Sequence, residues 1–347
     1  MSSRWTIALD ATYSLGEHLS GIGVYCQRML RGLPAAWPEA RFLLCYRPHR
    51  FLAGWREPAA RNCRRRLLLD SGLGLAPDLF HGLNQRLPAR RFRHAVATFH
   101  DLFVLTADYS TPEFRRRFAL QARQAAERSD LIIAVSAFTA SQVRDLLGAD
   151  SSRLRVIPHG VDLPERLPAA PRRQFVLHVG AIQKRKNLVR LVHAFSAMPP
   201  GWRLVLAGSS GFGAAEILEE IARSPRRADI ELTGYVSPQR LSELYAAASI
   251  LAFPSLDEGF GLPVLEAMAH GLPVITSNRS ALPEVAGDAA ILVDPFREEE
   301  IACALRELAS NPDLRLELAR RGLQRAAGFP WRRAIDQTRA VYQELLG

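Results

Sequence analysis

Short apolar runs alternate with longer stretches of helical period along nearly the whole chain, and no other feature restricts the fold as much. One series of runs covers residues 6–9, 41–45, 95–98, 131–135 and 155–157; a second covers 175–179, 203–207, 230–233, 250–253, 274–276 and 290–293. Strands that alternate with helices argue for parallel sheets covered by helices on their faces. Between the series lies PHGVDLPERLPAAPRRQ, residues 158–174, rich in proline and basic residues and without periodicity, which reads as an interdomain linker. A chain of 347 residues also exceeds what one core usually serves. The expectation is an α/β protein of two Rossmann-like domains, 1–160 and 161–330, facing a central cleft.

Composition narrows the class. An apolar share of 48% with 23% charged residues suits a globular enzyme and argues against disorder. Cys26, Cys45, Cys63 and Cys303 are scattered, with no C-x-x-C spacing, so neither a disulfide framework nor a zinc site is indicated and a reduced compartment is expected. The opening MSSRWTIALD lacks the layout of a signal peptide, and no run reaches the ~18 apolar residues of a membrane span. A cytoplasmic protein, at most peripheral to a membrane, is the expectation. Residues 1–165 carry 23 basic against 15 acidic side chains, and the remainder 22 against 20. That asymmetry fits an anionic partner of the first half; a composition that favours arginine, which supplies 43 of the 45 basic residues, explains it equally. Nucleic acid is a poor fit, since aromatics are 8% and no recognition motif appears.

In open parallel sheets ligands bind beyond the carboxyl ends of the strands, so polar residues there are the candidates. After the first run, Gly21 and Gly23 flank Ile22 just before a helical pattern. They would let backbone approach a ligand, or simply form a turn. The full G-x-G-x-x-G fingerprint is missing, which counts against a nicotinamide-dependent dehydrogenase. His100 ends the run AVATF, where a histidine can exchange hydrogen bonds with a bound group or serve structure. Ser136 is placed to cap a helix at a turn that can also meet phosphate. Gly180 ends another run, followed by Lys184, Arg185 and Lys186, which include the only two lysines of the chain. Three cations before a helix suit a diphosphate clamp; exposed charge is the alternative. Gly208 opens a glycine and serine loop able to hold base, ribose or phosphate.

The stretch DEGFGLPVLEAMAHGLPVITSN, residues 257–278, is the most telling. Glu258 falls in a strand-end loop, Gly259 and Gly261 would let backbone amides approach an anion, and Pro263 suits the first helical position, with helix over 264–270. Glu266 then lies about one turn inside the helix, able to accept from hydroxyls. One glutamate would reach a sugar and the other a ribose, with phosphates on the amides between them.

EGFGLPVLE resembles the E-x7-E motif of retaining glycosyltransferase family 4, whose members have the two-domain GT-B fold and use nucleotide-sugar donors. SGIGVY, FHD, AVSAFTASQV, VIPHGVD, VGAIQKRKNL, LTGYVS and GLPVITSNRSALPEVAGDAAILVDP resemble the other family blocks, in order. The resemblance implies that Glu258 contacts the donor sugar and Glu266 the ribose. Gly259, Phe260 and Gly261 would present backbone to the diphosphate and sugar, Leu262 would line the same turn, and Tyr235 and Val236 would lie near the base. Lys186 matches the family's phosphate-binding lysine. Its arginine partner is replaced by Ala181, so Arg185 takes that part. His100 matches a histidine facing the donor sugar, and Gly21 and Gly23 an acceptor-side loop; Ser136, Gly180 and Gly208 complete the donor-binding set. The first domain would take the acceptor, the second the nucleotide-sugar, and the helix over 331–347 would cross back onto the first.

The expected chemistry is transfer of a hexose with retention, the leaving phosphate accepting the acceptor's proton. Arg185, Lys186 and the helix N-terminus would balance the leaving charge, and without a D-x-D pair no metal or other cofactor is expected. The R-K-N loop and the opening LDAT resemble mannosyltransferases, which points to GDP-mannose; a UDP-sugar donor and a nucleotide-sugar epimerase stay open. The acceptor would be a glycan or lipid-linked glycan in cell-surface polysaccharide synthesis. The basic segments 61–66 and 112–128 could rest on an anionic membrane, with Phe114 and Phe118 in the second expected to be core.

Overall fold

The computed structural model describes residues 5–16, 19–165 and 171–347. Two compact units emerge: Met1–Thr106 with Thr111–Gly160 and Trp331–Gly347, and Val161–Pro330 with Ala107–Ser110. Of the linker read over 158–174, residues 166–170 lie outside the described residues.

The first unit is a seven-stranded sheet of β1 (Thr6–Asp10), β2 (Arg41–Tyr46), β3 (Cys63–Leu67), β4 (Leu79–Gly82), β5 (His94–Phe99), β6 (Leu131–Ala134) and β7 (Leu154–Val156), in the order β3-β2-β1-β4-β5-β6-β7. Every pairing is parallel, as in Ile7 opposite Phe42 and Leu79. Its helices are α1 (Gly21–Ala36), α2 (Pro48–Gly54), α3 (Phe103–Thr106), α4 (Pro112–Arg128) and α5 (Ala137–Leu147), with the C-terminal helix Trp331–Leu346. Ile7, Leu9, Phe42 and Leu44 pack against Tyr25 and Met29 of α1 and Ile335 and Tyr342 of the C-terminal helix. Full burial of such side chains is worth roughly 1.5–3 kcal/mol each. Gly32 makes the close approach of the two helices feasible, because a Cβ there would stand 2.1 Å from Ile335 Cδ1.

The sequence reading missed β3 and β4. β3, CRRRL, reads as a basic run, yet it is an edge strand with Arg64 and Arg66 exposed and Arg65 half-buried, its Nε donating to Gly54 O at 2.9 Å; charge at the edge discourages further pairing. β4 is four residues long and carries fully buried His81 in its middle. Gly21 and Gly23 belong inside α1 rather than before it, because Ser20 is the cap and its Oγ accepts from Gly23 N at 3.4 Å. Phe118 is buried, but Phe114 on the same helix is exposed, which corrects the pairing of both with the core.

The second unit is a parallel sheet of β8 (Phe175–Val179), β9 (Arg203–Ala207), β10 (Ile230–Gly234), β11 (Ile250–Phe253), β12 (Val274–Ser277) and β13 (Ala290–Val293), ordered β10-β9-β8-β11-β12-β13. α6 (Leu188–Phe195), α7 (Ala214–Arg223), α8 (Pro238–Ala247), α9 (Leu262–Ala269), α10 (Leu282–Ala286), α11 (Glu298–Ser310) and α12 (Pro312–Ala327) complete it. β8 and β11 are buried at every residue and sit at the centre, where the strand order reverses. A reversal of this kind opens a crevice at the strands' carboxyl ends. α9 starts at Leu262, one residue before the first helical position read at Pro263: Gly261 caps it at φ +103°, and Pro263 in its first turn forfeits no helical hydrogen bond. Among the described residues no helix is long and apolar enough to cross a membrane.

Candidate active site

At the carboxyl end of β8 the chain passes through Gly180 and a 3-10 turn, Lys184–Lys186, into α6. Asn187, left-handed at φ 59°, pins that turn with Nδ2 donating to Pro254 O at 3.1 Å and Pro295 O at 2.6 Å. The pinning carries Arg185 and Lys186 to the end of β11. There Lys186 Nζ lies 2.5 Å and Arg185 Nη1 2.7 Å from one oxygen, Oε1 of Glu258. Arg185 Nη1 also donates to Asp257 O at 2.9 Å, and Lys186 Nζ stands 4.4 Å from the Phe253 ring centroid. Burial pushes the Glu258 carboxyl up, but Arg185 and Lys186 outweigh it and take it down to about 2. Glu258 is therefore ionised at neutral pH. Its Oε2 has no hydrogen-bond donor among the described residues.

The backbone beside this triad is bare. Gly180 faces Lys186, since a Cβ there would meet Lys186 Cε at 3.1 Å, and a Cβ on Gly208 would stand 2.0 Å from Gly180 O. Glycine is required at 208 for the ends of β8 and β9 to come this close. Gly259, Phe260 and Gly261 are buried in the turn before α9.

Glu266, half-buried on α9, accepts through Oε2 from the hydroxyl of buried Tyr245 at 2.8 Å. Burial raises the Glu266 carboxyl, with the Tyr245 bond working against that rise. Tyr235 is exposed and Val236 half-buried in the loop after β10, and Leu262 is half-buried at the start of α9.

Of the residues singled out in the sequence, the structure thus joins Arg185, Lys186, Glu258, Gly180 and Gly208 in one cluster. Lys184 is not part of it: it is half-exposed and pairs with Glu216 at 3.0 Å, which corrects the three-cation clamp to two. Sequence reasoning missed His178 and Tyr245. His178 Nδ1 donates to Ala252 O at 3.0 Å, and burial, then the Lys186 charge, depress it to about 3, so it is neutral. A histidine inside an apolar strand run gave no positional signal, and Tyr245 sits among the leucines and alanines of α8, where nothing in the pattern marks its hydroxyl.

Gly21, Gly23, His100 and Ser136 belong to the first unit. His100 is buried and held at both nitrogens, 2.9 Å from Leu83 O through Nε2 and 3.4 Å from His159 Nε2 through Nδ1. Burial depresses it to about 4, with the Leu83 bond opposing. Ser136 caps α5, its Oγ accepting from Thr139 N at 2.9 Å.

Residues 162–325 match the family model described as Glycosyl transferases group 1, and residues 12–165 that described as Glycosyltransferase Family 4. O-antigen chain mannosyltransferase B of Escherichia coli is 32% identical over 284 residues, covering 77% of this chain and 74% of that protein. D-inositol 3-phosphate glycosyltransferase of Actinosynnema mirum is 34% identical over 282 residues, covering 74% of this chain and 66% of that protein. This chain thus spans just under two thirds of that second relative. Among solved structures, sucrose-phosphate synthase from Thermosynechococcus elongatus superposes with a TM-score of 0.78 at 21% identity, over 99% of both chains. Anabaena HepE, solved with UDP and glucose, gives 0.76 at 18% identity, over 98% of this chain and 100% of that one.

Proposed function

This chain belongs to the GT-B glycosyltransferases, and from that membership we propose that it moves mannose from GDP-mannose, with retention and without a metal, to a glycan or lipid-linked acceptor in cell-surface polysaccharide synthesis. The observation that carries the reading is the convergence of Arg185 and Lys186 on Glu258 beside the bare backbone of Gly180 and Gly208.

Glu258 holds two cations with one oxygen and keeps Oε2 to accept from the hydroxyls of the donor sugar. Diphosphate oxygens then draw on Arg185 and Lys186 and on the amides of Gly259, Phe260 and Gly261, while Glu266 accepts from the ribose. In the reaction the bond between the anomeric carbon and the β-phosphate oxygen breaks, and its electron pair leaves with the nucleoside diphosphate. The acceptor oxygen bonds the anomeric carbon on the same face, and its proton passes to the departing phosphate oxygen. Arg185 and Lys186 stabilise the charge that develops on the phosphate, which is most effective in a site where they are already fixed and desolvated. Metal independence rests on this donor set, cations and amides in place of paired carboxylates.

Mannose is favoured by the O-antigen relative's name, and the UDP bound to HepE makes a UDP-sugar the second donor to test. We further propose work at the cytoplasmic face of a membrane. Supporting this, Leu52 and Trp55 are 81% and 59% exposed beside the arginine-rich edge strand β3, an apolar and basic surface suited to anionic lipid.

The test is calorimetric binding of GDP, UDP, ADP and dTDP with their sugars in chelator, then transfer assays of wild type and Glu258→Ala. Selective binding of GDP forms and loss of transfer in Glu258→Ala support the reading. Near-normal transfer by that variant sinks it.

A further inference from the structure

A second charged cluster lies in the first unit, and the donor chemistry makes no use of it. Asp10 ends β1 and Arg47 follows β2, so both sit at the carboxyl edge of that sheet. Thr12 Oγ1 donates to Asp10 Oδ1 at 2.5 Å and accepts from Arg47 N at 3.2 Å, tying the two strand ends together. Arg47 Nη2 stands 3.6 Å from Asp10 Oδ2. Neither of those atoms, nor Arg47 Nε, has a hydrogen-bond partner among the described residues. A buried guanidinium normally spends its donors on acceptors, so two idle nitrogens on a side chain 6% exposed need a reason.

The groups on the outer side supply one. Arg47 Nη1 donates to Oδ1 of Asp70, and Arg86 Nη2 donates to the same oxygen at 3.0 Å. The Asp70 side chain is 74% exposed, against 6% for Arg47 and 30% for Arg86. An exposed carboxylate thus caps two guanidinium groups, one of them almost wholly buried. Ion pairs to so exposed a partner contribute little and are readily exchanged. With Asp70 in place the four charges cancel; without it they leave one positive charge facing outward.

We propose that Arg47 and Arg86 form a subsite for a phosphate ester on the acceptor, which Asp70 occupies with its own carboxylate until that ester displaces it. This rests on the reading that the first unit receives the acceptor. Phosphate oxygens match the planar donor forks of arginine, and in place of the Asp70 carboxylate they would take Nη1 of Arg47 and Nη2 of Arg86 together, while Nη2 of Arg47 stays turned toward Asp10. Asp10 and Thr12 hold Arg47 in position without closing its outer edge. The phosphate could be borne by a soluble sugar phosphate or by a lipid.

The test is titration of the full chain with glycerol 3-phosphate, using wild type, Asp70→Asn, Arg86→Gln and Lys186→Ala. Removing the competing charge should tighten binding about fivefold in Asp70→Asn, the scale of an exposed ion pair. Losing one charge-assisted contact should weaken it about tenfold in Arg86→Gln, and Lys186→Ala should keep that dependence on Arg86, any binding it loses being phosphate held at the donor site. Asp70→Asn binding no tighter than wild type, or binding that follows Lys186 and ignores Arg86, overturns the proposal. Both substituted acidic and basic groups at this site are partly exposed, so the variants are expected to fold, and thermal melts check it. Repeating the ranking on phosphatidylcholine vesicles with phosphatidic acid separates the sources: the ranking in solution assigns a soluble phosphate, and the ranking on vesicles alone a lipid-borne one. Failure of the donor reading shows separately, as absence of nucleotide binding in wild type.

Discussion

Lys186 Nζ and Glu258 Oε1 stand 2.5 Å apart, both side chains nearly closed to solvent, with Arg185 Nη1 on the same oxygen at 2.7 Å. Two fixed cations on one carboxylate oxygen leave a net positive charge at the ends of β8 and β11, where the diphosphate of a donor would bring its own negative charge. Lys186→Met should therefore lower the turnover number by about 100-fold or more, the usual loss when one stabiliser of a developing oxyanion is removed. Stability should fall by less than the ~3–5 kcal/mol of breaking an isolated buried pair, because Arg185 still serves Glu258. Single-turnover transfer and thermal melts of the same preparation check both parts.

The pair of Tyr245 and Glu266 offers a second test. Tyr245→Phe removes the hydroxyl donated at 2.8 Å to Glu266 Oε2 and leaves a half-buried carboxylate short of a donor. An unmet acceptor of this kind costs about 1–3 kcal/mol, so the midpoint of unfolding should drop. Glu266→Gln keeps the shape and loses the charge that a ribose hydroxyl would donate to, so nucleoside diphosphate affinity should fall about tenfold. Calorimetry with the nucleoside diphosphate separates the two variants: weaker binding in Glu266→Gln with an unchanged melt is the expected pattern.

Much of this was readable in the chain because parallel sheets bury whole strands. β8, β9 and β11 are largely apolar runs that stop at Gly180, Gly208 and Pro254, so their carboxyl ends, and hence the placement of Gly180, Gly208 and Glu258, could be read from pattern alone. β3 could not, since an edge strand has solvent on one side and its arginines follow no apolar alternation. The pairing of Arg185 and Lys186 with Glu258 was equally hidden. It depends on Asn187 reaching across to Pro254 and Pro295, a tertiary bond between segments 67 and 108 residues apart. Lys184, adjacent in sequence and identical in charge, points instead to Glu216 on α7.

Gly208→Ala tests the backbone approach. An added methyl would stand 2.0 Å from Gly180 O, an immovable backbone atom, so β8 and β9 would have to part at their carboxyl ends. The expected cost is about 1–3 kcal/mol of stability, with nucleotide affinity falling along with it, since the same shift displaces the turn that carries Arg185 and Lys186. Denaturant titration and nucleotide binding check the two effects. A variant of native stability that binds nucleotide normally would show that the two strand ends need not be this close.

Stability against acid should be set by buried histidines. Burial, then the charge of His100, depresses His81 to about 3; burial takes His100 to about 4; and burial with the Lys186 charge takes His178 to about 3. The folded protein keeps all three neutral, while the unfolded chain protonates them near 6.5. Above that pH neither state binds these protons and they leave stability flat. Below it the unfolded chain binds more protons than the folded one, so stability is lost as pH falls from 6.5 toward 4 and 3. Each histidine contributes a slope of about 1.4 kcal/mol per pH unit in that window. Glu258, held at about 2, adds its own loss only below the ordinary carboxylate value of 4.5. Urea midpoints measured across this range should therefore be level above 6.5 and fall steeply beneath it. His178→Asn should make that slope shallower by one proton, because the asparagine side chain does not titrate.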